Sequence, residues 1–302
     1  MGIGEKASSS SFGVGFLLKR DQPAAVDLCM KLVESVRLRG LLEFVVHDHL
    51  TLPAELRSVS EKELPDDLRL LVVLGGDGTM LYGAGLLAGR SIPLLGVNLG
   101  HLGFLTCCGP EEALATLAAA LDGSLPCEER QRLNCRVYRR TSYDHGQAEL
   151  VAERSALNDV VLSQPAQARL FELETFIDGD AVTTYRADGL IISTPTGSTA
   201  YNLAAGGPIL MPGMDALVLS PICPHTLTAR PLVTHLRSRV EVRPGRAAEN
   251  ILLTVDGQWN QKLSPMDVVE VTCAPAPVRV YRPLQLSFFD LLRIKLHWGA
   301  KA

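Results

Sequence analysis

At Pro126 the hydrophobic pattern of the chain changes its period, and that change limits the available folds more than any single residue does. Upstream, short apolar runs alternate with helical stretches. They read FGVGFLLK (12–19), AAVDLCMKLVESVRLRG, LEFVVHDH, LRLLVVLGG, a small-residue helix beginning near Thr79, IPLLGVN (92–98) and PEEALATLAAALDG (110–123). Strand and helix in alternation call for a mostly parallel sheet with helices on its faces. Downstream, CRVYRR, FELETFIDGDAVTTY, RVEVRP, ILLTVDGQW and DVVEVTC alternate with period two, and Asp-Gly pairs at 178–179 and 256–257 mark tight turns. That half is mainly β. The tail LQLSFFDLLRIKLHWG (284–299) returns to helical spacing. The expected organisation is an N-terminal Rossmann-like parallel α/β domain over 1–125 and a mainly β, sandwich-like domain over 126–282. A C-terminal helix within 283–302 then packs back on the first domain.

A chain of 302 residues can bury a core in each of about two domains without staples. Its net charge of −4 provides no global basic field, so neither nucleic acid nor an anionic membrane is an expected partner, and any phosphate must be met locally. The seven cysteines form no CxxC pair and are odd in number, which points to reduced thiols and a cytoplasmic location. Nothing near the N-terminus reads as a secretory signal, and Lys6 stands where myristoylation of Gly2 would want Ser or Thr. No apolar run approaches the roughly 18 residues of a membrane span. His47 and His49 share a strand face without Cys or carboxylate partners at metal spacing, so no zinc site and no metal-ligating residue is assigned.

Two polar turns follow apolar strands. The first, GGDGT (75–79), lacks both the GK[ST] ending of a P-loop and the GxGxxG spacing of a dinucleotide fingerprint. Gly75, Gly76 and Gly78 would let the backbone approach a polyphosphate. Asp77 would repel that ligand unless it either caps the following helix or has a chemical task. The second turn lies in ADGLIISTPTGSTAYNLAAGGPI (187–209), where TPTGSTAY offers hydroxyls and backbone N–H groups to a polar ligand. Two such turns in separate domains suggest a cleft.

GGDGT, the Asn-Asp pair in ALNDVVL (156–162), DGLIISTPTGSTAYNLAAGGPI (188–209), SPICPHTLTARPLV (220–233) and VDGQ (255–258) stand in the order found in NAD kinases, and the chain resembles that family over essentially its whole length. Lipid kinases of the diacylglycerol type and phosphofructokinases carry loops similar to GGDGT, so a lipid or sugar kinase is the alternative. The resemblance implies Mg2+-dependent transfer of the γ-phosphate of ATP to the 2′-hydroxyl of the adenosine ribose of NAD, with Asp77 as general base. It leaves the donor open between ATP, other nucleotides and polyphosphate. It further implies that NAD is met by Asn158, Asp159, Arg169, Arg186, Asp188, Thr199, Ala200, Tyr201, Asn202 and Gln258, with Ala204 where many relatives carry serine. Assembly as a homodimer or homotetramer is implied too.

Overall fold

Gly13–Leu18 and Leu68–Gly75 run side by side in parallel, and apart from Arg69 every residue in them is buried. Strands covered on both faces need such near-continuous apolar runs, and each fully buried leucine, Leu71 and Leu74 among them, contributes about 1.5–3 kcal/mol. In this computed structural model the described residues are 12–46, 52–140, 148–164, 171–245 and 250–298. They fall into two compact units: Met1–Leu87 with Ile92–Glu128 and Arg279–Ala302, and Glu129–Val278 with Ala88–Ser91.

The first unit is built on a seven-stranded sheet. Its order is Ser58–Val59, Leu42–Val46, Gly13–Leu18, Leu68–Gly75, Leu94–Asn98, Val278–Tyr281, Cys127–Arg130. Helix Pro23–Leu38 starts with proline in its first turn, where the missing N–H has no intrahelical partner to lose. It buries Ala25, Cys29, Leu32, Val33 and Val36. With Ala113 and Leu117 of helix Ala113–Leu121, these pack on the face formed by Val14, Phe16, Val72, Leu74 and Val97. Helix Asp77–Leu86 covers the opposite face, where a side chain at Gly83 would press on Leu17, Val73 and Leu94. That helix begins at Asp77, two residues earlier than its spacing suggests. Strand order reverses between Gly13–Leu18 and Leu68–Gly75, the kind of switch point at which open α/β sheets bind ligands.

Val278–Tyr281 pairs in parallel with Leu94–Asn98. The units part near 128 and 278. Helix Phe288–Leu296 belongs to the first unit and opens on a capping box in which Asp290 N–H donates to Ser287 Oγ and Ser287 N–H donates to Asp290.

The second unit is a sandwich of two six-stranded antiparallel sheets. One has the order Asp180–Ala187, Phe171–Ile177, Val240–Pro244, Asp267–Cys273, Leu133–Arg140, Ala148–Ala156. The other runs Leu232–His235, Ala216–Ile222, Gly189–Ser193, Asp159–Ser163, Ile251–Val255, Trp259–Leu263. The period of two places Leu133, Cys135 and Val137 from one sheet against Val160, Leu162 and Ile192 from the other in a single core. Both Asp-Gly pairs are hairpin turns with left-handed backbone at each residue: φ is 53° and 94° at 178–179, and 51° and 68° at 256–257. None of the seven cysteines is in a disulfide. No helix among the described residues is long and apolar enough to cross a membrane. His47 and His49 lie outside the described residues.

Candidate functional site

In the first unit the glycine cluster leaves the carboxyl end of Leu68–Gly75 at the switch point and turns straight into helix Asp77–Leu86. Gly76 is the N-cap, and Asp77, the first helical residue, caps nothing. Its carboxylate instead reaches the loop after Leu94–Asn98: Phe104 donates its backbone N–H to Oδ2 and Leu105 to Oδ1, each at 2.9 Å. A carboxylate offers about four lone-pair sites, so both oxygens keep capacity for a ligand hydroxyl. Asp77 is half-buried and thus both clamped and reachable. The glycines divide the work. A β-carbon at Gly75 would overlap the Thr79 side chain, so Gly75 closes the turn, whereas Gly76 and Gly78 face open space.

The clamping loop is itself tied down. Asn98, buried at the strand end, accepts from Gly100 N–H at 3.0 Å and donates to the carbonyl of His101. Gly103 N–H donates to Thr106 Oγ1 at 3.0 Å. Sequence reasoning missed this segment, NLGHLGFLT (98–106), although two glycines directly after an apolar strand were a visible signal.

In the second unit the TPTGSTAY turn follows Gly189–Ser193 as a short 3-10 turn, Gly197–Thr199, and one turn of helix, Tyr201–Ala204. It is sewn to the Asn-Asp pair through backbone atoms. Thr194 donates its N–H to Asn158 O at 2.9 Å and its Oγ1 to Leu157 O at 2.6 Å, while Gly197 N–H donates back to Thr194 Oγ1 at 3.0 Å. A β-carbon on Gly197 would overlap the Asn158 carbonyl, so only glycine permits this approach. From the other side, Asp256 accepts the N–H groups of Leu157, Asn158 and Asp159 at 2.7, 2.7 and 3.1 Å. Burial pushes the Asp256 carboxyl above the ordinary range, against the opposing pull of those three donors and of the Arg132 charge.

This framework surrounds a cavity of about 360 Å³ lined by Asn158, Asp159, Val161, Ser163, Ala200, Tyr201, Thr254, Asp256 and Gly257. Asp159 is 5% exposed, and burial, with the adjacent negative Asp256, raises its carboxyl to about 7. The cavity thus holds an acid that exchanges its proton near neutrality, together with a half-exposed aromatic ring at Tyr201. A polar ligand with both hydroxyls and a flat ring suits that lining.

Asn158, Asp159, Ala200 and Tyr201 are brought together in this lining, and the other described residues expected to meet the ligand are not part of it. Asn202 is fully buried, donating to Ser198 O and Pro208 O at 3.0 Å and accepting from Ser220 Oγ at 2.7 Å, so its amide builds the turn. Thr199 Oγ1 donates to Thr196 O at 3.3 Å, and Ala204 and Gln258 are exposed outside the lining. Arg186 pairs with Glu172 at 2.8 Å, and Asp188 faces His225 at 3.6 Å. Arg169 lies outside the described residues. Asp256, Thr254, Ser163 and Val161 were not anticipated; the turn at Asp256 was legible, but its neighbours were not.

Glycine-rich loops at a switch point hold phosphate-bearing ligands. This one carries a clamped carboxylate and lacks both the lysine of a P-loop and the spacing of a dinucleotide fingerprint, so it defines a separate class of phosphate-type loop. Two family models match it, the ATP-NAD kinase N-terminal domain over residues 14–125 and the ATP-NAD kinase C-terminal domain over residues 157–283. The chain belongs to the NAD kinase family. The NAD kinase of Solibacter usitatus is 39% identical over 287 residues, covering 95% of this chain and 98% of that one. That of Geotalea daltonii is 40% identical, covering 95% and 99%. The yeast NADH kinase complexed with NADH superposes with a TM-score of 0.84 at 25% identity, covering 98% of this chain and 90% of that chain. An Archaeoglobus fulgidus NAD kinase in complex with ATP shares the fold, with a TM-score of 0.70 at 22% identity over 95% and 98% of the two chains.

Proposed function

We propose that this chain is a working NAD kinase. It transfers the γ-phosphoryl group of ATP to the 2′-hydroxyl of the adenosine ribose of NAD. The hydroxyl oxygen bonds to the γ-phosphorus, the bond from that phosphorus to the β,γ-bridging oxygen breaks, ADP leaves, and the hydroxyl proton passes to the Asp77 carboxylate. The observation that carries the reading is the clamp on Asp77. Two backbone donors aim an otherwise mobile carboxylate and leave it acceptor capacity at the mouth of a phosphate-type loop. Gly76 and Gly78 are the positions where backbone can approach phosphate, and the cavity around Asn158, Asp159, Ala200 and Tyr201 is the proposed dinucleotide site.

Mg2+ is proposed to accompany ATP and offset its charge. Among the described residues no three His, Cys, Asp or Glu side chains gather to hold a metal. An ion of this kind is carried by one or two carboxylates plus substrate phosphates. No step here depends on its position. A cytoplasmic setting and assembly as a dimer or tetramer belong to the same proposal, and light scattering on the purified chain tests the latter.

The decisive experiment is NADP formation from NAD with ATP, repeated with polyphosphate as donor and with NADH as acceptor. Asp77→Asn is expected to fold and bind NAD while losing about 10²- to 10⁴-fold in turnover. Near-normal turnover in that variant would remove Asp77 from the role of base, and a wild-type chain that forms no NADP would remove the activity itself.

A further inference from the structure

The donors that aim Asp77 come from a loop that is itself braced by the C-terminal helix. The Phe104 ring meets that of Phe288 with centroids 6.2 Å apart and planes at 49°, an edge-inclined contact of the attractive kind. The Lys295 ammonium stands 6.0 Å from the centroid of the same Phe104 ring. Phe288 and Lys295 are seven positions apart, two helical turns, so both lie on one face of helix Phe288–Leu296. Next to Phe288, the capping box at Ser287 and Asp290 fixes where the helix begins, and with it the direction in which Phe288 projects. Phe104 is therefore gripped through its ring by the helix and through its backbone by Asp77.

We propose that the C-terminal helix is a positioning element for Asp77, with Phe288 as the principal positioning residue and Lys295 as its second contact. The helix acts on Asp77 through Phe104. It sets the Phe104–Leu105 backbone, and that backbone sets the carboxylate. The proposal deepens the reading of Asp77 given above and rests on it for its kinetic consequence, though not for its structural one.

Two readouts on the full-length protein separate those consequences. In the first, amide hydrogen exchange at Phe104 and Leu105 is expected to accelerate roughly tenfold in Phe288→Ala and to stay near wild type in Phe288→Tyr, which keeps the ring. Ile294→Ala, at a half-exposed position of the same helix, is expected to change neither amide. In the second, kcat for NADP formation falls roughly tenfold in Phe288→Ala with KM for NAD unchanged, and Phe288→Tyr restores it. Phe288→Leu, which keeps apolar bulk without a ring, is read in the same way should the alanine variant fail to fold. Unchanged exchange at both amides in the alanine and leucine variants would overturn the brace. A lowered melting temperature with kcat intact would overturn the positioning role, since the helix would then be merely structural. A wild-type chain that forms no NADP yet shows the exchange pattern would sink the kinase reading and leave the brace standing.

Discussion

Gly103 lies so close to Asp77 that a β-carbon on it would overlap carboxylate oxygen Oδ1. The loop that donates two N–H groups to that carboxylate can approach it only because this residue has no side chain. Gly103→Ala is expected to displace the carboxylate while leaving the sheet intact. Steady-state assays should show about a 10²-fold loss in kcat, and chemical denaturation a cost of about 1–3 kcal/mol. A variant with wild-type kcat would mean that the clamp does not aim the reacting group.

Asp256 holds the segment Leu157–Asp159 by three backbone N–H groups at the wall of the cavity. Removing the acceptor leaves those donors without it, so Asp256→Ala should destabilise by about 2–5 kcal/mol in urea unfolding and weaken NAD binding. Asp256→Asn tolerates the left-handed φ of 51° and keeps one oxygen, so its loss should be clearly smaller.

The Asp159 carboxyl, lifted by burial and then by Asp256 to about 7, titrates well above its unfolded value of about 4. Its protonated form is favoured by folding. The associated stability is complete below about pH 4 and is lost as pH rises through about 7. Asp159→Asn removes this titration. Its stability relative to wild type should grow across that window, reaching roughly 1–4 kcal/mol at pH 8 in melts followed from pH 4 to 8. A constant difference across the range would count against the burial-driven shift.

Gly197 faces the Asn158 carbonyl with no room for a methyl group. Because the obstacle is backbone, in the bend between Ala148–Ala156 and Asp159–Ser163 that Asp256 and Thr194 hold in place, Gly197→Ala should cost about 1–3 kcal/mol. Calorimetric titration should show weakened NAD binding, because Ala200 and Tyr201 move with the turn. The equivalent change at Gly78, which faces open space, should leave stability nearly unchanged.

Much of the architecture was legible from local pattern. Period two gave away Leu133–Arg140 and Asp267–Cys273, Asp-Gly marked both hairpin turns, and the tail helix announced itself by spacing. Val278–Tyr281 did not, because four alternating residues say nothing about which sheet will accept them, and its parallel partner Leu94–Asn98 lies far away in the chain. The candidate site divides in the same way. GGDGT, Asn158-Asp159 and Ala200-Tyr201 carry their chemistry in consecutive residues.

The amino-acid sequence by itself determined the two kinds of sheet, the carboxylate in the glycine turn and the family, since each is encoded in the period or order of neighbouring residues. Only the tertiary structure decided where polar groups find partners. Asp77 is aimed by donors 27 and 28 residues away, and Asp256 grips backbone 97 to 99 residues away. The side-chain amide of Asn202, which reads as a ligand contact, is engaged by Ser198, Pro208 and Ser220, and Arg186 pairs with Glu172 at the surface. A hydrogen bond depends on angstrom-scale separation in the folded chain, and contact across such sequence distances exists only once the strands between have paired.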